Sequence, residues 1–258
     1  MKTIRKGIAV LEQLSMATGM LGVTELATAL DMDKAIVHRI LKTLEEGKLV
    51  HQDVSTRRYS LGIGFVQMGG RFLDQLGLPE LAHPHLLRLW QRCNETVHLC
   101  IQSDLQTVLL RVYESQQGVR VSAQVGDQAH LHSTSTGKVF LAFGPDDLIE
   151  RAIAAGLPRC QPHTIHTAER LREEVALVRR QEYATDIEES DQNYSAVALP
   201  VFGTKGECVA AVAVAMPVGR MPSTPNAALL SDLKATVNAI SMASHKALRA
   251  DAVPGTSY

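Results

Sequence analysis

The chain has little that would carry it out of the cell or into a membrane. Its four cysteines, Cys93, Cys100, Cys160 and Cys208, form no C-x-x-C pair, so their spacing points to no disulfide framework. No apolar run approaches the roughly 18 to 20 residues that a membrane helix needs, and the first residues carry no apolar h-region or cleavage signal. The expectation is a reduced, cytoplasmic protein with no membrane span or anchor. A strong charge of one sign is missing too, since the formal net charge is −1 over 258 residues. That balance hides an asymmetry. Through Gly62 there are nine basic and seven acidic residues, which leaves +2 there and −3 beyond.

What is present is the composition of a folded chain, 45% hydrophobic and 21% charged, long enough for one large domain or two ordinary ones. Within it HSTSTGKVF, His132 to Phe140, raises the question of a phosphate loop. The Walker pattern G-x-x-x-x-G-K-[ST] needs a first glycine and a final hydroxyl. Here His132 and Val139 occupy those places, so the nucleotide reading fails. A polar turn remains, in which Thr134, Ser135 or Thr136 can cap a helix continuing as GKVFLAF, with amides and hydroxyls open to a small acceptor.

The first sixty residues follow a clear helical rhythm. Ile8, Leu11 and Leu14 recur at helical spacing; VTELA opens a short second helix with Thr24 as a suitable cap; Asp33 can cap a third. In that third helix Ile36, Val37, Ile40, Leu41 and Leu44 form the apolar stripe, and Gly47 ends it. KLVHQD and RRYSLG around Val54-Ser55-Thr56-Arg57 read as a hairpin with a basic tip. Three helices and a hairpin make a winged helix-turn-helix, whose third helix fits a major groove while cations on the wing neutralise phosphates. The candidate DNA contacts are Lys34, Ala35, His38, Arg39 and Lys42 on the helix, and Thr56, Arg57 and Arg58 on the wing.

The stretch VTELATALDMDKAIVHRILKTLEEGKLVHQDVSTRRYSLG resembles the DNA-binding domain of the IclR family of bacterial transcription regulators. HLHSTSTGKVFLAF, EYATDIEES and ALPVFGTKGECVAAVAVAMP resemble further blocks of that family, in order. The resemblance implies an α+β chain: a winged helix-turn-helix over 1–62, a linker helix over 63–78 that takes part in dimer contacts, a GAF-like effector domain over 79–250, and a flexible tail over 251–258. It further implies a homodimer or homotetramer on a double-stranded DNA operator. The pair Gly69-Gly70 weakens the linker helix by about 1 kcal/mol per glycine relative to alanine, so the joint can bend there.

In the second part, ETVHLCIQS, TVLLRVYES, VRVSAQVG, SAVALPVFG and ECVAAVAVAMP read as strands, and helices cluster around them. This argues for a largely antiparallel sheet. By the resemblance, an effector sits against the sheet, held by Ser135 and Thr136 of the turn, by Asp186 and by the late strands. Ser195 stands where the family commonly has a cysteine, and Ala213 and Ala215 where it commonly has serines. Methyls in place of hydroxyls favour a small organic acid with an apolar or aromatic body. Arg111 and Arg120, on candidate strands, can pair with its carboxylate.

Other chemistry has weaker support. His83-x-His85, His130-x-His132 and His163-x-x-His166 lack a neighbouring carboxylate or thiolate at a recognised ligand spacing, so no metal or cofactor is expected. There is no G-x-S-x-G elbow and no nominated catalytic residue. Glu188-Glu189 reads as a solvated pair. The expected function is a ligand-responsive DNA-binding regulator of a catabolic or metabolic operon. The alternative is an enzyme or metabolite-binding protein whose winged helix mediates protein contacts.

Overall fold

Apolar residues at helical spacing fold the N-terminal part of the chain around one small core. The computed structural model describes residues 2–221 and 225–251; the expected tail, apart from Asp251, lies outside them. Residues up to Leu76 form one unit and those from Gly77 another. In the first, α1 (Lys2–Met16), α2 (Val23–Ala29) and α3 (Lys34–Glu46) pack Val10, Leu14, Leu26, Val37 and Leu41 together with Val50 and Tyr59 of the hairpin. The cap of α2 is Gly22 rather than the expected Thr24, because the Gly22 N–H donates to Glu25 Oε2 at 2.7 Å. Strands β1 (Val50–Gln52) and β2 (Tyr59–Leu61) pair antiparallel with Val50 opposite Leu61. Helix α4 (Gly64–Leu76) runs unbroken through Gly69 and Gly70.

The second unit begins with α5 (Leu78–Cys93), followed by β3 (Thr96–Ser103), β4 (Gln106–Tyr113) and β5 (Gln128–His130). Helices α6 (Ser135–Phe143), α7 (Leu148–Ala155) and α8 (Ala168–Gln181) come next, and then β6 (Ala184–Ile187), β7 (Tyr194–Phe202), β8 (Cys208–Pro217) and α9 (Ala227–Asp251). The six strands form an antiparallel sheet in the order β5-β4-β3-β8-β7-β6. Helices α5 and α9 lie against the strands on one side, and α6 with α8 covers the other. This is the expected α+β class with an antiparallel sheet. The expected strand VRVSAQVG is absent, since Val119–Gly126 forms no ladder. Side chains hold it instead: Thr96 Oγ1 donates to the Val121 carbonyl at 2.7 Å, and Asp127 Oδ2 accepts from the Gln124 N–H at 2.7 Å.

Among the described residues, no helix is long and apolar enough to cross a membrane, and no group of three His, Cys, Asp or Glu side chains could hold a metal ion. Each histidine pair finds other partners. His83 Nδ1 bonds to the Tyr113 hydroxyl, while His132 Nε2 and His166 Nδ1 donate to the Pro158 and Thr164 carbonyls.

A candidate DNA-reading face and a candidate ligand cavity

Burial of one stripe decides which face of α3 is left outward. Asp33 accepts hydrogen bonds from the Ala35 and Ile36 N–H groups at 2.8 and 3.3 Å and fixes the first turn. Val37, Ile40 and Leu41 are buried, so Lys34, Ala35, His38, Arg39 and Lys42 are presented together to solvent. The wing tip is tied by Asp53, whose Oδ1 accepts from the Ser55 hydroxyl, the Thr56 N–H and the Thr56 hydroxyl at 2.6, 2.7 and 2.8 Å. These donors, Ser55 first, pull its carboxyl down to about 2. Arg57 follows in the left-handed region (φ 59°) and is exposed.

Arg58 departs from the expectation of a free phosphate contact. Its Nε donates to the Met20 carbonyl at 2.8 Å, and its Nη2 meets both oxygens of Glu25 at 2.8 and 2.7 Å. It is a half-buried clasp between wing and α2. Thr56 is likewise engaged within its turn.

In the second unit, a cavity of about 520 Å³ opens between the start of α6, the sheet, the Val119–Ala123 segment and the turn before β7. Thr134 caps α6. Its hydroxyl accepts from Gly137 N–H and donates to the His130 carbonyl, both at 3.1 Å. The close approach explains Gly137, since a Cβ there would lie 2.3 Å from the Leu131 carbonyl oxygen. The Ser135 and Thr136 amides, in the first turn, have no carbonyl four residues back to bind, and the helix dipole there favours an anion.

Thr136 and Arg120 line this cavity; the other six expected ligand contacts do not. Ser135 is buried behind the turn. Arg111 stands opposite Leu99 on the far side of the sheet and pairs with Glu80 of α5. An extra residue in β4, where Leu99 pairs with Arg111 but Cys100 with Leu109, reverses the alternation and turns Arg111 away. Ser195 pairs with Ile187 and Met216, one residue out of step with the cavity-lining Tyr194. It donates to the Met216 carbonyl at 2.9 Å. Ala213 and Ala215 are fully buried within the sheet, Ala213 in the core that packs α6, rather than on the cavity wall.

Asp186 acts one step removed. Fully buried, it accepts from the Glu189 and Ser190 N–H groups at 2.9 and 3.3 Å and from the Ser190 hydroxyl, which fixes the turn whose Ser190 to Tyr194 line the cavity. Burial pushes its carboxyl up against these donors. Glu114 braces the opposite wall. It accepts from the Ser122 hydroxyl at 2.6 Å and from Arg120 Nε and Ala123 N–H at 3.4 Å, while its carbonyl takes the Trp90 indole N–H at 2.7 Å.

Two features escaped the sequence reading. Lys138, 1% exposed, meets Glu189 at 2.6 Å and Glu174 at 3.2 Å. Glu189 is therefore no solvated acid, and burial raises its carboxyl to about 7 despite the ammonium. His98 lines the cavity at 5% exposure, its Nδ1 sealed without a hydrogen-bond partner. Burial alone lowers its imidazolium to about 4, so the ring is neutral at physiological pH. A histidine within the apolar run of Val97, Leu99, Cys100 and Ile101 was the signal for it.

Comparison with known proteins agrees with both units. The model for the IclR helix-turn-helix domain matches residues 3–54, and that for the bacterial transcriptional regulator IclR C-terminal region matches 70–242. The probable transcriptional regulator SauR of Cupriavidus necator is 33% identical over 230 residues, 89% of this chain and 91% of that one. The transcriptional repressor AllR of Escherichia coli is 26% identical over 221 residues, 85% and 82%. Among solved structures, the IclR of Thermotoga maritima superposes with a TM-score of 0.79 at 27% identity, covering 94% of this chain and 98% of that one. An IclR homologue from Microbacterium hydrocarbonoxydans, complexed with 4-hydroxybenzoate, shares the fold with a TM-score of 0.83 at 20% identity, covering 95% and 99%.

Proposed function

We propose that this chain, which belongs to the IclR family of bacterial transcriptional regulators, is a non-enzymatic, ligand-responsive regulator of a catabolic or metabolic operon, acting on DNA in the cytoplasm as a homodimer or homotetramer. The observation that carries this reading is the Asp33-capped α3, which presents Lys34, His38, Arg39 and Lys42 on one exposed face, together with an exposed Arg57 on the wing. In this reading α3 enters the major groove and Arg57 neutralises a phosphate.

The second unit supplies the input, a small organic acid with an apolar or aromatic body. Its carboxylate meets Thr136 in the first turn of α6, and its body lies against Leu109, Val121, Ala123 and Tyr194. Arg120 lies near but already pairs with Glu114. The ligand alters DNA binding only if the competent and incompetent arrangements bind it with different affinity; a coupling of about 1 to 3 kcal/mol changes operator affinity roughly 5- to 150-fold.

The test is duplex binding as a function of salt, with and without aromatic acids or short oxoacids such as pyruvate and glyoxylate. The expected result is a log K that falls with log salt by about 0.9 per neutralised phosphate, a shift with aromatic acids, and no turnover of any of them. Salt-independent binding would sink the DNA assignment, and turnover would favour the enzyme reading. Preference for the oxoacids would overturn the ligand class alone.

A further inference from the structure

The two arginines of the wing stand next to each other in the chain and differ in what surrounds them. Arg57 is exposed at the tip. Arg58 is drawn back towards α2, one residue before Tyr59, whose N–H donates to the Leu21 carbonyl at 2.8 Å and whose carbonyl accepts from the Leu21 N–H at 2.9 Å. Its Nε binds the Met20 carbonyl at 2.8 Å, and its Nη2 lies 2.8 and 2.7 Å from the two oxygens of Glu25. Glu25 is itself pinned, because its Oε2 also accepts from the Gly22 N–H at 2.7 Å. These donors, Gly22 first, hold its carboxyl below the usual carboxylate range, so it stays ionised at physiological pH. The charge of Arg58 is thus cancelled where it sits, while that of Arg57 faces solvent.

We propose that Glu25 is a positioning residue that limits the affinity of the winged unit for DNA: it holds Arg58 at the junction with α2, withholds it from phosphate, and leaves the cationic contact of the wing to Arg57. The inference deepens the DNA-binding reading above and rests on it. A guanidinium on a phosphate releases counterions from any duplex and carries no sequence information of its own. Through Gly62 the basic residues exceed the acidic ones by just two, so one arginine engaged or withheld is a large share of the attraction. Restraint also suits a regulated binder. A ligand that changes affinity by a fixed factor can empty a site only when the resting affinity does not far exceed what the protein concentration requires. Glutamine in place of Glu25 can still accept from the Gly22 N–H, as either residue does three positions after a helix cap, but it brings no charge to hold the guanidinium.

The experiment is fluorescence anisotropy on the full chain with a labelled duplex of arbitrary sequence as probe, titrated over a range of salt. Glu25→Gln is expected to bind more tightly at low salt, with log K falling more steeply against log salt by about 0.9, the slope of one further phosphate. Arg58→Ala should keep the wild-type slope, and Glu25→Gln/Arg58→Ala should return to it. Glu12→Gln makes the same change of net charge at an exposed acid of α1 outside the clasp, and should leave the slope unchanged. An unaltered slope in Glu25→Gln, or an equal rise in Glu12→Gln, overturns the proposal. So does a slope lowered by about 0.9 in Arg58→Ala, which would mean that Arg58 already meets a phosphate; this variant decides even if Glu25→Gln fails to fold. If wild-type binding shows no salt dependence, the DNA-binding reading itself falls.

Discussion

His98 and Lys138 show opposite ways of burying a titratable group. The imidazole has no charged partner, and desolvation alone takes it from 6.5 to about 4. A depressed folded pKa means stability that is present above pH 6.5 and lost as pH falls towards 4, because the unfolded chain takes up the proton first. The loss is at most about 3 kcal/mol. Melting temperature followed from pH 7 to pH 4 is expected to fall less steeply in His98→Gln than in the wild type; parallel curves would show that the ring is not sealed. Lys138 instead keeps its charge because Glu189 and Glu174 face it. Lys138→Met leaves carboxylates uncompensated and is expected to cost about 3 to 5 kcal/mol, with much of it recovered in Lys138→Met/Glu189→Leu. Urea midpoints of the single and double variants check this, and an additive pair would remove the coupling.

If α3 and the wing read DNA as proposed, each side chain there has its own expected effect. Arg57→Ala should weaken all duplexes alike and reduce the salt slope by about 0.9. Replacing Lys34 or Arg39 should change base preference by about 1 to 3 kcal/mol at single positions, measured across a panel of operator variants. Arg58→Ala should lower the thermal stability of the winged unit before it changes DNA affinity, because its guanidinium holds Met20 and Glu25. At this scale α3 was readable because Val37, Ile40 and Leu41 recur at the helical period and are the residues that bury. The Val119–Gly126 segment was misread because its alternation satisfies the strand rule, while its hydrogen bonds go to the side chains of Thr96, Glu114 and Asp127 instead of to a neighbouring strand. The cavity was less legible still. The extra residue that turns Arg111 away leaves no mark in TVLLRVYES, and Glu189 looked solvated because its partner Lys138 lies 51 residues away.

For the molecule as a whole, Phe65, Met68 and Phe72 make an exposed apolar stripe along α4. In the proposed DNA-binding reading one α3 spans only a few base pairs, so pairing two chains would double the site. The expected state is a dimer or tetramer at micromolar concentration, and Phe65→Glu/Phe72→Glu should shift sedimentation towards the monomer. A wild-type monomer, with or without DNA, would contradict it. The Glu114 brace has a consequence of another kind. Trp90 is the only tryptophan in the chain, and its indole N–H is bound to the carbonyl of the same residue whose carboxylate holds the cavity wall at Arg120, Ser122 and Ala123. The protein therefore carries its own optical reporter beside the proposed ligand cavity, while the winged unit is dark under tryptophan excitation. An acid that tightens or loosens the wall should shift Trp90 emission without any label, and a duplex should leave that emission unchanged unless the signal passes from one unit to the other.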